Sequence, residues 1–188
     1  SPPPAPMPGA SGIAPTTGTN TPIASRPSSE LGIDRQTVLN SLPRVKIITD
    51  RMIGSIRLKG ALIDDLTLLS YRQTIKKDSP NILLLSPLGT DNPYYAQFGW
   101  VSQTAGITVP DADTVWTADR ETLSVGSPVT LSWTNPQGIV FSQTVSLDKN
   151  FMFSIRQAVK NDSKKPVTLN PYGLISLTGT PETSGFWI

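Results

Sequence analysis

The sequence predicts an all-β protein, an antiparallel β-sandwich preceded by a disordered tail, and three observations carry that prediction. Short runs rich in β-branched and aromatic residues are broken roughly every eight to twelve residues by turn chemistry. Examples are Lys77-Asp78-Ser79-Pro80, Pro87-Leu88-Gly89-Thr90, Asn135-Pro136-Gln137-Gly138 and Asn161-Asp162-Ser163. Within the runs, apolar residues recur with period two, as strands with one buried face require. Only Asp34 to Leu42 carries a helical pattern, so almost no helix is expected.

Taken in chain order, residues 1–29 hold eight of the 18 prolines, no aromatic residue and one charge, Arg26, in a background of Ser, Thr, Ala and Gly. Such a segment cannot bury enough apolar surface to offset its ordering entropy. It reads as the disordered bulk of a Pro/Ser/Thr-rich linker over residues 1–40, with a folded domain over 41–188. Pro-rich composition keeps such a spacer extended, and Pro3-Pro4-Ala5-Pro6 lacks the flanking Arg or Lys of an aromatic-groove ligand. Strand texture begins near Arg44. Tyr94, Ala96, Phe98 and Trp100 alternate, as do Val129, Leu131 and Trp133. Ile139, Phe141, Val145 and Leu147 share a face with Gln143; Phe151, Phe153, Ile155 and Val159 share one with Gln157. Leu147 to Phe151 reads as the hairpin loop between those two strands, and Phe186-Trp187-Ile188 as the beginning of another. Phe141, Phe153 and Trp133 are therefore expected in the core, with Trp100.

At 188 residues the chain can bury one core without metal or disulfide support. It has no cysteine and no histidine, which removes thiolate nucleophiles, Cys/His zinc sites, Ser-His-Asp triads and imidazole bases. The net charge of +2, from 16 basic and 14 acidic residues spread along the chain, argues against a nucleic-acid partner. The longest aliphatic run, Ile82-Leu83-Leu84-Leu85, is far short of the ~20 apolar residues that span a bilayer. The N-terminus has no signal-peptide layout, so any targeting segment is expected outside this sequence.

Asp64-Asp65 is the tight acidic pair of the folded part, a residue combination that can act as acid and base or hold a divalent cation. In a regular strand adjacent side chains point to opposite faces, so the pair is expected not to converge and to sit at a solvated turn or edge. The large aromatics could line a carbohydrate or peptide groove. Tyr95 and Tyr172 are open to either reading and are the candidates for cleft or partner contacts. Asn161-Asp162-Ser163 matches a glycosylation acceptor but reads as a turn. No phosphate loop, dinucleotide fingerprint or nucleophile elbow is present, and the sequence requires no cofactor or metal.

Three segments in order, Lys59-Gly60-Ala61-Leu62-Ile63-Asp64-Asp65-Leu66, Asn92-Pro93-Tyr94-Tyr95-Ala96-Gln97-Phe98-Gly99-Trp100 and Gly179-Thr180-Pro181-Glu182-Thr183-Ser184-Gly185-Phe186-Trp187-Ile188, carry a family resemblance. From about Pro43 onward the chain resembles the first periplasmic domain of YidC-type membrane protein insertases, in their alphaproteobacterial form. The resemblance implies a mutarotase-like β-supersandwich, present here as its linker and earlier part and truncated on the C-terminal side. It implies a non-catalytic segment in the periplasm, whose parent sits in the bacterial inner membrane and assists insertion, folding and assembly of inner-membrane proteins. Sec translocon accessory proteins and nascent inner-membrane proteins are the implied partners. The membrane-embedded arginine of the family belongs to a core absent here, so neither Arg72 nor Arg156 is its counterpart. A stand-alone periplasmic carbohydrate-binding or mutarotase-like module is the alternative, although the chain has no counterpart of the mutarotase histidine. Several hydrophobic spans in the following stretch of the gene would favour the insertase.

Overall fold

The computed structural model describes residues 34–178. The expected disordered tail over 1–29 and the strand expected at Phe186-Trp187-Ile188 lie outside those residues. The described chain runs α1 (Arg35–Asn40), β1 (Arg44–Ile48), β2 (Met52–Arg57), β3 (Leu62–Arg72), β4 (Asn81–Leu85) and β5 (Tyr94–Ser102). It continues through β6 (Thr117–Ala118), β7 (Thr122–Leu123), β8 (Val129–Thr134), β9 (Val140–Leu147), β10 (Phe153–Lys160) and β11 (Leu169–Leu177). The predicted turn clusters fall between β3 and β4, β4 and β5, β8 and β9, and just after β10.

The strands form a sandwich. One sheet is ordered β11-β5-β3-β2-β1-β7, with β4 also paired to β3; the other is β10-β9-β8-β6. All pairings between strands are antiparallel except the short β1–β7 contact. The core lies between the sheets. Val45, Ile47, Ile56 and Ile63 face Leu131, Phe141, Val145 and Leu147 within it, all nearly inaccessible to water. Phe141 is its aromatic centre, edge-on to Trp100 at 5.2 Å and 5.8 Å from Trp133. Burying such side chains supplies about 1.5–3 kcal/mol each. The period-two reading held for β9, whose residues alternate between buried and half-buried. Phe153 and Trp133, expected in the core, are only half-buried: β10 is an edge strand, and β6 pairs with β8 at Leu131 and Ser132 but stops short of Trp133.

Two glutamines sit in these otherwise apolar phases because strand β5 needs them. β5 pairs with β3 at a single position, Ile63 opposite Ala96, and then leaves it. Further along β5, Gln143 Nε2 donates to the Phe98 carbonyl and Gln157 Nε2 to the Gly99 carbonyl, each at 2.8 Å. Acceptors buried without partners would be costly, and the two amides supply those partners from the opposite sheet.

Helix α1 is too short to be stable by itself. Asp34 caps it, accepting from the Thr37 amide at 3.1 Å. Its side chains then tie it down: Arg35 pairs with Asp65 on β3, and Val38 lies over Gly89 in the β4–β5 loop, where an added Cβ would stand 3.7 Å from Val38 Cγ2. The domain boundary expected at residue 41 falls between α1 and β1, with α1 on the linker side.

Candidate functional site

Strands β10 and β11 are the outer members of their two sheets, and residues 161–168 join them across one side of the sandwich. There a cleft of about 430 Å³ opens, lined by Trp100, Val159, Asn161, Pro166, Val167, Leu169 and Pro171. The β5–β11 register explains the lining. Pro171 lies opposite Trp100 and Leu169 opposite Ser102, so alternate residues of both strands share the Trp100 face. Proline is tolerated in β11 because the strand is at an edge. Trp100 forms the floor and is held rigidly, stacked on Trp116 with centroids 6.3 Å apart and packed against Phe141. Asn161, the polar side chain of the lining, is already engaged, its Nδ2 donating to the Lys165 carbonyl at 2.9 Å. The cleft therefore offers a mixed surface, apolar side chains beside polar groups, and brings no acid–base pair together.

Tyr95 and Tyr172, the candidates from the sequence, lie elsewhere. Both occupy the other face of the β5–β11 pair: Tyr172 is opposite Gly99, and Tyr95 is opposite Ser176. Tyr172 is exposed and covers Gly99, whereas Tyr95 is half-buried. The structure places them four positions apart on one outward-facing surface and brings neither ring into the cleft lining. The walls of the cleft escaped sequence reasoning because Val167, Leu169 and Pro171 look like an ordinary connection until β11 is paired with Trp100.

The Asp64-Asp65 expectation is overturned. Both carboxylates are buried in β3, in the interior of the larger sheet, at neither a turn nor an edge. The cause is a β-bulge. Ser55 pairs with Asp65 and the next residue of β2, Ile56, pairs with Ile63, which leaves Asp64 as the extra residue and breaks the strict alternation. The two carboxylates thereby enter one network. Arg44 pairs with Asp64 through Nη2 and donates from Nε to Ser55 Oγ at 2.7 Å; Ser55 Oγ donates to Asp65 Oδ2 at 2.6 Å; Arg35 closes the chain on Asp65 Oδ1. Burial pushes the Asp64 carboxyl above its ordinary range, opposed by the Arg44 guanidinium. With each acid committed to an arginine, this is a tether between α1, β1 and β3. Among the described residues, no group of Asp or Glu gathers in a way that could hold a metal ion.

Comparison with known proteins agrees in one direction. The family model described as the YidC periplasmic domain matches residues 44–188. The chain is 50% identical over 156 residues to the membrane protein insertase YidC of Methylorubrum extorquens, covering 83% of this chain and 25% of that protein. It is 49% identical over 160 residues to the protein of the same name from Beijerinckia indica, covering 85% and 26%. With the one from Methylobacterium nodulans it shares 46% over 175 residues, covering 93% and 29%. The chain thus spans about a quarter of the length of these curated relatives.

Proposed function

Because the chain belongs to the YidC periplasmic domain family, we propose that it serves as the non-catalytic periplasmic part of an inner-membrane insertase, assisting insertion, folding and assembly of inner-membrane proteins with or beside the Sec translocon. The match over residues 44–188 carries this reading. The cleft supports it: Trp100, Val159, Val167 and Leu169 offer apolar side chains to a passing hydrophobic segment, and no acid–base pair stands among them for turnover of a polar substrate. No helix among the described residues is long and apolar enough to cross a membrane, so in this reading attachment comes from other parts of the parent. Nascent inner-membrane proteins and Sec accessory proteins are the proposed partners, the former at the cleft and the latter at the outward face that carries Tyr95 and Tyr172.

Site-specific photocrosslinking in a full-length insertase carrying this segment tests the proposal. Probes at Val159 and Leu169 should capture apolar segments of inner-membrane proteins during synthesis, and probes at Tyr95 and Tyr172 should capture translocon accessory subunits. Failure of all four positions to crosslink either class would overturn it. Mutarotation of an aldose by the purified chain above the buffer rate would overturn the non-catalytic assignment.

A further inference from the structure

β3 outruns its neighbour. Its pairing with β2 ends at Leu68, opposite Met52, and its last residues continue with β4 as an arm beyond the sheet. Register along the arm jumps from Leu68–Ile82 to Arg72–Asn81, so Leu69 to Tyr71 are extra residues on the β3 side. The tip is ordered by its own hydrogen bonds. The Gln73 amide donates to the Pro80 carbonyl at 2.9 Å, Arg72 Nη1 to the Ser79 carbonyl at 2.7 Å, the Thr74 amide to Ser79 Oγ at 2.9 Å and the Ser79 amide to the Lys76 carbonyl at 3.0 Å. Ser79 is buried at the centre of this set, while every other residue from Tyr71 to Pro80 is exposed.

The tip thus holds its shape without packing its one aliphatic side chain. Ile75 is fully exposed and is followed directly by Lys76 and Lys77; Tyr71, 61% exposed, stands at the base beside Arg72. Three cations and one carboxylate, Asp78, give residues 71–79 a net charge of +2, equal to that of the whole chain. Among the described residues no carboxylate forms a salt bridge with any of these cations. A single exposed isoleucine needs no explanation. An exposed isoleucine on a preformed loop, flanked by free ammonium groups and an interfacial tyrosine, has the composition of a bilayer contact. In contacts of that kind an aliphatic group enters the headgroup boundary, lysines reach lipid phosphates, and a tyrosine sits between apolar and wet surroundings.

We propose that the tip of the β3–β4 hairpin, through Tyr71, Arg72, Ile75, Lys76 and Lys77, docks on the surface of an anionic phospholipid bilayer. Charge complementarity selects the bilayer as occupant, since each basic residue near an anionic surface strengthens attachment about fivefold, and the exposed aliphatic group gives it a reason to prefer a surface to a soluble anion.

Cosedimentation of the 188-residue chain with vesicles of phosphatidylcholine alone, or mixed with phosphatidylglycerol, tests this. Binding is expected only to the mixed vesicles, weakened by salt and not displaced by free glycerophosphoglycerol. K76Q/K77Q should lower it about 25-fold. Ile75→Ser should lower it about tenfold, the loss expected when an inserted side chain is truncated. K164Q/K165Q, the same charge change in an exposed loop whose nearby valine, Val167, is half-buried, should leave it unchanged. Ile75→Trp should show blue-shifted emission on the mixed vesicles. Melting curves of the variants should overlay, since all these positions are exposed. Absence of lipid-dependent binding, equal losses in the two double variants, or full binding by Ile75→Ser would each overturn the proposal.

Discussion

Replacing Arg44 with Met would strand a carboxylate that has no contact with water. Asp64 is completely buried, the Arg44 side chain is 8% exposed, and the same guanidinium also donates to Ser55. Removing one partner of such a pair costs about 3–5 kcal/mol, because the other charge stays buried without compensation. For a domain of this size that corresponds to roughly 6–20 °C in melting temperature. The pH dependence supplies a second readout. Burial raises the Asp64 pKa above its unfolded value despite Arg44, so the folded state binds this proton more tightly than the unfolded state does. The contribution of Asp64 to stability is therefore greatest below its unfolded pKa, about 4, and is lost as pH rises through the folded value. Without Arg44 the folded pKa moves higher still, so the deficit of the variant should be larger at pH 7 than at pH 5. Urea unfolding of the wild type, Arg44→Met, Asp64→Leu and the double variant at both pH values measures this. The double variant should recover most of the loss, because no unpaired charge remains. A single-variant loss below about 1 kcal/mol, the range of surface substitutions, together with no pH dependence, would refute the reasoning.

Two further comparisons test the packing. Phe141→Ala should cost about 3–5 kcal/mol and Phe153→Ala about 1–2 kcal/mol, as expected for a fully buried and a half-buried ring; chemical denaturation should resolve the difference, and equal losses would contradict the edge position of β10. Gly54→Ala drives a Cβ into the Asp65 carbonyl oxygen, a backbone atom that cannot swing aside, whereas Gly99→Ala meets only the exposed Tyr172 ring at 2.7 Å. The first should destabilise by about 3 kcal/mol or more and the second by less than about 1 kcal/mol, with Tyr172 displaced. Melting temperatures in the reverse order would be incompatible with the β2–β3 register.

The class of fold was legible because β8 and β9 each bury one face, and burial of one face writes itself into the chain as alternation. The same logic misplaced Asp64 and Asp65. A bulge adds one residue without changing composition, so nothing in Ile63-Asp64-Asp65-Leu66 announces that alternation stops there. Nor do the two acids reveal their partners, Arg44 and Arg35, which come from a different strand and from the helix. Gln143 and Gln157 stood out as polar residues in apolar phases, but their purpose depends on β5 leaving β3 after Ala96, a matter of topology. The cleft was hidden for a similar reason: its floor, Trp100, and its walls, from Val159 to Pro171, are roughly sixty to seventy positions apart in the chain. Tyr95 and Tyr172 were noticed for what they are chemically, while the face each occupies was fixed only once β11 found its register on β5.

The single β3–β5 pairing gives the molecule a mechanical seam. Across it, β5 pairs with β3 at Ile63 and Ala96 and, at its first residue, Tyr94 exchanges two backbone hydrogen bonds with Ser86 just after β4, while two amides tie it to β9 and β10. The ribbon of β5 and β11 is thus tied to the smaller sheet as well as to its own. Every wall of the cleft except the connecting loop is carried by β5, β10 or β11. A hinge opening along the seam would carry the cleft as one rigid cup, intact, while changing its direction relative to β2 and β1 beyond the opposite edge of β3. Amide exchange would register such an opening as a shared protection level for β5, β9, β10 and β11, distinct from that of β1 and β2.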